Sequence, residues 1–459
     1  MNPEFERNVW LELTPRRVLL MIGLLALIFF ATALVGDSWT PSAAASWLYY
    51  LIVVVWGSRS AALSIVGEIR DRTWDGQRLS SLGAGTMTWG KLFGSTIYNW
   101  LGGAICLALI LVNVVTHLGP VTAILELAYY LGIGVIAQAA ALLASLVAVG
   151  RGQSHSRFEI FVYQLVGLVA AAAVYWVWST ADPVTALLTH KPAVDFILWW
   201  GVSLDARAFL LASVAIFAGW TLVGCYREMR LELKTRNGPL VWLAFLLFMG
   251  IYVAGFDAWL SNDMQNWDAV ALRLLLAAST FAVLTYVMVL LEPKDRVHYR
   301  WMAGQFTQGH VANALLGLQA WMMSYGAGVL VAAALVLWLL RDPLTAAVGQ
   351  PLVIVTVGFV TRDVALFVLM QTLPGKRRGD FAALAILFAL YVLTPAILTG
   401  LHADTLLFLF YPQIQSPNWI GAAVRLDRGS CRRGAGHWTA RAPRTGGKAR
   451  HRLIGQGSA

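Results

Sequence analysis

The sequence is poor in charge and in cysteine, and both shortages limit what the chain can be. Only 13% of its 459 residues are charged, whereas soluble globular domains average about 25%. Hydrophobic residues make up 58%, which excludes an ordinary soluble domain and favours a protein with many membrane-spanning helices. The three cysteines are Cys106, Cys225 and Cys431. Two fall in apolar runs and one in the C-terminal tail, so they predict neither a disulfide framework nor a metal cluster.

The net charge of +10 is concentrated at the C-terminus. Residues 425–459 hold nine Lys or Arg and one Asp, a net charge of +8. The rest of the chain therefore carries about +2, so it presents no general basic surface for nucleic acid. The composition of residues 425–459 fits two interpretations: a disordered basic tail, or a shifted reading frame that replaced a twelfth helix.

Apolar runs of roughly 20 residues predict the membrane spans. They indicate an all-α, polytopic membrane protein with about eleven transmembrane helices, or twelve in an intact form. The predicted limits are 18–36, 46–67, 92–115, 121–149, 158–179, 206–226, 239–260, 270–291, 321–340, 347–370 and 381–402.

The orientation follows from the basic residues between the spans. Every second loop is rich in Lys and Arg, while the loops between them hold little beyond Lys191, Arg207, Arg273 and Arg341. Because basic loops stay on the cytoplasmic side, the N-terminus is predicted to be inside. The first apolar run is too long for a typical signal peptide, although Ala31-Thr32-Ala33 imitates a cleavage site. We expect the inner membrane of a bacterium.

The span pattern also predicts the organisation of the chain. Residues 1–17 carry an interfacial amphipathic helix, since Phe5, Val9 and Leu13 recur at four-residue spacing among polar residues. The predicted parts are 1–17, a first transmembrane half 18–230, a linker with two further spans 231–303, a second half 304–424, and the tail 425–459. An offset of 303 residues aligns Arg59 with Arg362 and the first span with the ninth, which indicates a weak internal repeat.

A densely charged segment lies between the second and third predicted spans. It combines both charge signs with the apolar residues Trp74 and Leu79, a mixture suited to docking a cytosolic partner. The other interpretation is a charged loop that only sets the topology. The predicted docking residues are Glu68, Arg70, Asp71, Arg72, Thr73, Trp74, Asp75, Arg78 and Leu79.

The same segment carries a family resemblance. Glu68, Thr73, Leu79, Leu82, Gly90 and Lys91 form a Glu-x4-Thr-x5-Leu-x2-Leu element that ends in Gly-Lys at the third span. With the interfacial helix and two spans before it, this pattern resembles the exporter-type (type-2) ABC transporter permeases. The resemblance covers residues 1–120 best. One departure is Gly83-Ala84-Gly85-Thr86, which stands where that family usually has Pro with a small polar residue.

The resemblance implies how the chain works. In that family the segment is a coupling helix that sits on a nucleotide-binding subunit, so residues 68–91 would receive an ABC ATPase. The chain itself would bind no cofactor and would not be an enzyme, because ATP and magnesium would be handled by the partner. The repeat adds a second docking candidate made of Lys376, Arg377, Arg378 and Asp380. The substrate is not readable from the sequence, and a dimer or hetero-oligomer is expected.

Two other sequence patterns are weaker indications of a functional site. Residues 85–92 match most of a phosphate-binding loop, but the Ser/Thr after the Lys is missing and no strand precedes the loop. Arg59, Arg362 and Asp363 fall within or near spans, where charge is costly. They either mark an intramembrane substrate path or reach toward the headgroups.

Two further function classes stay open. An ion-coupled secondary transporter needs paired carboxylates or broken helices at mid-depth, and few carboxylates lie deep in the predicted spans. A membrane enzyme acting on a lipid-linked substrate needs an acidic or histidine group at one membrane face. The three aspartates between 257 and 268 have no evident partner base.

Overall fold

The computed structural model of the chain is almost entirely helical. It describes residues 2–401 except 35–39, 151–156, 183–192, 257–267, 373–378 and the single positions 236, 293, 295 and 342, together with residues 407 and 410. Within these residues, ten helices are long and apolar enough to cross a membrane, and Leu240–Ala254 is a shorter apolar helix. The chain is therefore an all-α, multi-pass membrane protein.

The helices follow the order of the predicted spans. Those before residue 180 are α1 (Pro3–Glu12), α2 (Pro15–Ala33), α3 (Thr40–Tyr49), α4 (Gly57–Arg70), α5 (Trp74–Arg78), α6 (Ala84–Trp89), α7 (Ile97–Leu118), α8 (Pro120–Gly150) and α9 (Arg157–Ser179). An antiparallel hairpin of β1 (Phe196–Trp199) and β2 (Val202–Asp205) comes next. The later helices are α10 (Ala206–Glu232), α11 (Leu240–Ala254), α12 (Ala269–Leu291), α13 (Arg296–Thr307), α14 (Val311–Leu316), α15 (Ala320–Leu339), α16 (Pro343–Thr372), α17 (Gly379–Phe388) and α18 (Thr394–Gly400).

The eleven predicted spans agree with this helix order. Ten of them coincide with the long helices, and the seventh, predicted over 239–260, coincides with the shorter α11. The predicted N-terminal helix is present as α1, and its place at the membrane interface stays a prediction. Its N-cap is Asn2, whose side-chain oxygen accepts hydrogen bonds from the backbone N–H groups of Glu4 at 3.1 Å and Phe5 at 3.2 Å.

The second span is continuous but changes its winding halfway. Residues Tyr50–Trp56, between α3 and α4, are π-helical. A π-helical turn alters the backbone pairing inside a span, where no water can satisfy a carbonyl group that is left over. Side-chain amides of three neighbouring helices donate to its carbonyl groups: Asn99 to Ile52 at 3.0 Å, Gln138 to Val53 at 3.0 Å and Gln164 to Val55 at 2.9 Å.

Two buried clusters lie at opposite ends of these helices. The cluster around Tyr49, Tyr129 and Ile133 joins α3, α7, α8 and α9 near the end that holds residue 42. A second cluster, which includes Ile65, Trp74 and Leu146, lies at the end that holds Arg70. Close helix approach at the first cluster depends on glycine, since a Cβ at Gly134 would lie 2.8 Å from atoms of Trp100 and Val53.

The chain divides into two compact units, Met1–Ala334 and Leu335–Ala459. This division does not test the predicted halves 18–230 and 304–424, which stay predictions. The repeat also stays a prediction. At the offset of 303, residues 40–70 fall on 343–373, where the 30-residue helix α16 lies. The tail 425–459 lies outside the described residues, so both interpretations of it stay predictions.

Candidate functional site

The predicted docking segment is a tight turn followed by two short helices. Helix α4 ends at Arg70, and Arg72 adopts a left-handed conformation with φ of 60°. This is a costly conformation for a residue with a side chain. The turn is held by the backbone N–H of Thr73, which donates to the carbonyl oxygen of Glu68 at 2.9 Å. Helices α5 and α6 follow, and a π-helical segment, Gly90–Gly94, leads into α7.

A buried ion cluster joins this segment to the N-terminal helix. The ammonium group of Lys91 lies 2.8 Å from a carboxylate oxygen of Glu4 and also contacts the carboxylate of Glu68. The guanidinium group of Arg7 lies 2.9 Å from Glu4 and also pairs with Glu68. The side chains of Lys91 and Glu4 are 1% and 4% exposed. Two carboxylates thus face two cations, which is the arrangement that buried charge requires.

Backbone contacts complete the attachment of α1. A Cβ at Gly90 would lie 2.6 Å from Cγ of Glu4 and 3.0 Å from the backbone nitrogen of Phe5, so α1 fits only because residue 90 is glycine. The side chain of Asn8 donates to the carbonyl oxygen of Gly90 at 3.2 Å, and that of Asn2 donates to the carbonyl oxygen of Thr86 at 2.8 Å. Helix α1, α6 and the start of the third span therefore form one packed body.

Trp74 does not offer the surface that the sequence analysis assigned to it. Its side chain is 4% exposed and packs in the cluster with Met87 and Leu142. The ammonium nitrogen of Lys91 lies 5.8 Å from the centre of its ring. Glu68 is likewise occupied inside the chain, because Gln77 donates to its carboxylate at 2.7 Å in addition to the ion pairs. These two residues hold the segment together rather than face a partner.

The remaining predicted docking residues face outward. Leu79 is 89% exposed, although it is a large apolar side chain. It lies one turn after Asp75, which is 3.7 Å from Arg78. The exposed residues are Arg70, Asp71, Arg72, Thr73, Asp75 and Leu79, and Arg78 is half-buried. We call the surface of Asp71, Arg72, Asp75 and Leu79 the Leu79 face.

The other predicted sites lie elsewhere. Arg59 is exposed on the surface of α4. Arg362 and Asp363 form an ion pair, with Nη2 and Oδ1 2.9 Å apart, and the hydroxyl group of Tyr391 donates to Asp363 at 2.6 Å. The second docking candidate cannot be compared, because Lys376, Arg377, Arg378 and the side chain of Asp380 lie outside the described residues.

Sequence reasoning missed the ion cluster. It placed Lys91 in a family motif and described the residues around Phe5 and Val9 only as polar. One signal was available: a lysine at the start of an apolar span is costly unless a carboxylate is at hand. In the described part of the chain, no group of three or more His, Cys, Asp or Glu side chains could hold a metal ion.

The fold and the site together define a class: a multi-pass helical membrane protein with a charged, helical segment between its second and third spans. Comparisons of the chain with known protein families, with curated proteins and with solved structures find no match.

Proposed function

We propose that this chain is the membrane subunit of an ATP-driven exporter and that a separate ABC ATPase docks on the Leu79 face. The observation that carries the proposal is the ion cluster of Glu4, Lys91 and Glu68, which joins the docking segment to α1 and to the second and third spans. The face presents an exposed leucine among charges of both signs, which suits a specific protein contact. The resemblance to exporter-type permeases points to the same partner, and a bacterial inner membrane is the expected location.

The ion cluster explains how ATP hydrolysis in the partner would move the membrane spans. Glu68 lies in the last turn of the second span, and Lys91 lies where the third span begins. Because both side chains meet at Glu4 and Arg7, a force on the short helices between them moves two spans and α1 together. A loop that only set the topology would need its basic residues at the surface, not a lysine that is 1% exposed.

A second function, an ion-coupled secondary transporter, is favoured by one observation. The carboxyl groups of Glu126 and Asp182 lie together, each on a side chain that is 5% exposed. Paired buried carboxylates are typical of proton-coupled carriers. The two functions differ in their energy source, so transport that stops with an ionophore and persists without ATP would favour the second.

The proposal is tested by isolating the complex from its native membrane. We expect an ATPase subunit to co-purify with the chain. The double variant Arg72→Glu/Leu79→Asp should lose this partner, while the matched variant Leu316→Asp, at a leucine that is 61% exposed, should keep it. An intact complex with the double variant, or no ATPase with the unchanged protein, would contradict docking at the Leu79 face.

A further inference from the structure

A cavity of about 470 Å³ lies in the first unit, at the end of the helices away from the docking segment. It is bounded by α3, α7, α8, α9 and the π-helical turn of the second span. Its volume is in the range that proteins use to bind small organic molecules. The π-helical turn contributes Tyr50 and Val54 to the lining, and such turns are frequent at functional sites.

The wall of the cavity is aromatic. The rings of Tyr129 and Trp178 are stacked with centroids 4.7 Å apart, and Tyr50 lies edge-on to Tyr175 at 5.6 Å. The hydroxyl groups are used within the wall: those of Tyr50 and Tyr129 are 2.8 Å apart, and that of Tyr130 donates to Ser46 at 3.0 Å. Ring contacts and hydrogen bonds therefore hold these rings in place in the cavity wall.

Two carboxyl groups lie in the same lining. Glu126 of α8 and Asp182, which follows α9, are both 5% exposed, and their side chains are within hydrogen-bonding reach of each other. Arg207 acts electrostatically on Glu126 but is not part of the cavity lining. Two carboxyl groups this close share one proton, so the pair keeps a single negative charge, which a bound cation offsets.

The cavity opens sideways between α3 and α9. Four of its lining residues are exposed on these two spans: Ala43, Trp47, Ala172 and Tyr175. Trp47 is 77% exposed and Tyr175 is 49% exposed. Because the surface of a span faces the hydrocarbon of the bilayer, a ligand that is soluble in the membrane has a direct path into the cavity.

We propose that this cavity binds a lipophilic organic cation that enters from the bilayer. The carboxyl pair attracts the positive charge, and aromatic rings bind cations over their faces. An organic anion would meet two carboxyl groups. A metal ion would need further ligands, which the lining does not supply.

The inference concerns binding and does not depend on the ATPase. If the chain is the exporter subunit proposed above, the bound cation is its substrate, and that step rests on the proposed function. Binding is measured without ATP and without a partner. Loss of binding therefore leaves the docking proposal untouched, and loss of docking leaves the cavity untouched.

The experiment uses the full chain in lipid nanodiscs and two probes of the same shape, the tetraphenylphosphonium cation and the tetraphenylborate anion. We expect saturable binding of the cation and at least tenfold weaker saturable binding of the anion, each measured against empty nanodiscs. The double variant Glu126→Gln/Asp182→Asn should weaken cation binding at least tenfold, and the matched variant Glu159→Gln, at the other end of α9, should not. Tyr175→Leu, at the exposed mouth, should weaken binding several-fold, and it answers the question if the buried variants fail to fold.

Three results would overturn the proposal. Equal binding of both probes would identify a neutral hydrophobic cavity, and no saturable binding of the cation would remove the site altogether. Unchanged cation affinity in both the folded Glu126→Gln/Asp182→Asn protein and the folded Tyr175→Leu protein would also overturn the proposal.

Discussion

Lys91 forms its ion pair with Glu4 across 87 positions of the sequence, with the ammonium nitrogen 2.8 Å from the carboxylate oxygen. The pair joins the first helix of the chain to the beginning of the third span. Both side chains are buried, so neither charge is satisfied by water. The pair holds the N-terminal helix against the segment between the second and third spans.

Replacing Lys91 with methionine should detach α1 and destabilise the protein. Without the ammonium group, the carboxylates of Glu4 and Glu68 face each other with Arg7 as their shared cation. Breaking a buried pair in this way costs about 3–5 kcal/mol. Thermal unfolding in detergent should show a lower midpoint, and trypsin should cut after Arg7 sooner than in the unchanged protein.

An exposed ion pair provides the control for that variant. Arg17 and Glu12 are 2.9 Å apart, with side chains 54% and 38% exposed. Such a pair contributes about 0–1 kcal/mol, so Glu12→Gln should leave the unfolding midpoint almost unchanged. Equal effects of Lys91→Met and Glu12→Gln would show that the buried cluster does not hold α1.

Gly90→Ala should push α1 away from the start of the third span, because the added methyl group crowds their contact. The added methyl group would meet Glu4 at 2.6 Å and the backbone of Phe5 at 3.0 Å, and a backbone atom cannot turn aside. Overpacking of this kind costs about 1–3 kcal/mol. Gly23→Ala is the matched control in α2, because nothing lies within 4 Å of its Cβ position. It should be neutral or stabilising, since alanine favours a helix by about 1 kcal/mol. A Gly90→Ala protein as stable as Gly23→Ala would contradict the close contact.

The fold was readable from the sequence wherever long apolar runs decided it. The seventh span shows where this stops: it was predicted to reach residue 260, but α11 ends at Ala254. There the chain leaves the helix to pair with the hairpin, as the backbone N–H of Trp200 donates to the carbonyl oxygen of Gly255 at 2.7 Å. That contact spans 55 positions, and a hydropathy window cannot show it.

The candidate site was only partly readable, for the same reason. The charges of the docking segment and its place between two spans follow from the sequence. Which of its two apolar residues is buried does not, because α5 has five residues and is too short to show a helical period. Trp74 is buried and Leu79 is exposed, and the difference depends on Met87 and Leu142, which lie later in the chain.

The orientation of the chain can be tested with single cysteines. Cys106 and Cys225 are both fully buried, so they should not react in the folded protein. In a Cys431→Ser background, Leu79→Cys and Val202→Cys place a thiol at positions that are 89% and 57% exposed in the native protein. An impermeant maleimide applied to intact cells should label residue 202 at once and residue 79 only after permeabilisation. The reverse pattern would place the Leu79 face outside, where no ATPase could reach it.

The last prediction separates a structural role from a transport role for Arg362 and Asp363. Their charges are paired with each other, and the guanidinium group of Arg362 also lies 4.6 Å from the ring centre of Phe359 and 5.1 Å from that of Tyr391. Asp363→Leu alone should lower the unfolding midpoint, because it leaves the arginine, which is 34% exposed, without its carboxylate.

The double variant Arg362→Met/Asp363→Leu should recover most of that loss, since replacing an ion pair with apolar side chains of similar size is often neutral. Tyr391→Phe removes one hydrogen bond and should cost about 1–3 kcal/mol. Unfolding midpoints test the stability of all three proteins, and transport by the double variant tests the function. If the pair only holds α16 against the segment that carries Tyr391, the double variant transports normally. If it folds well and transports nothing, the two charges belong to a substrate path, as the sequence analysis also allowed.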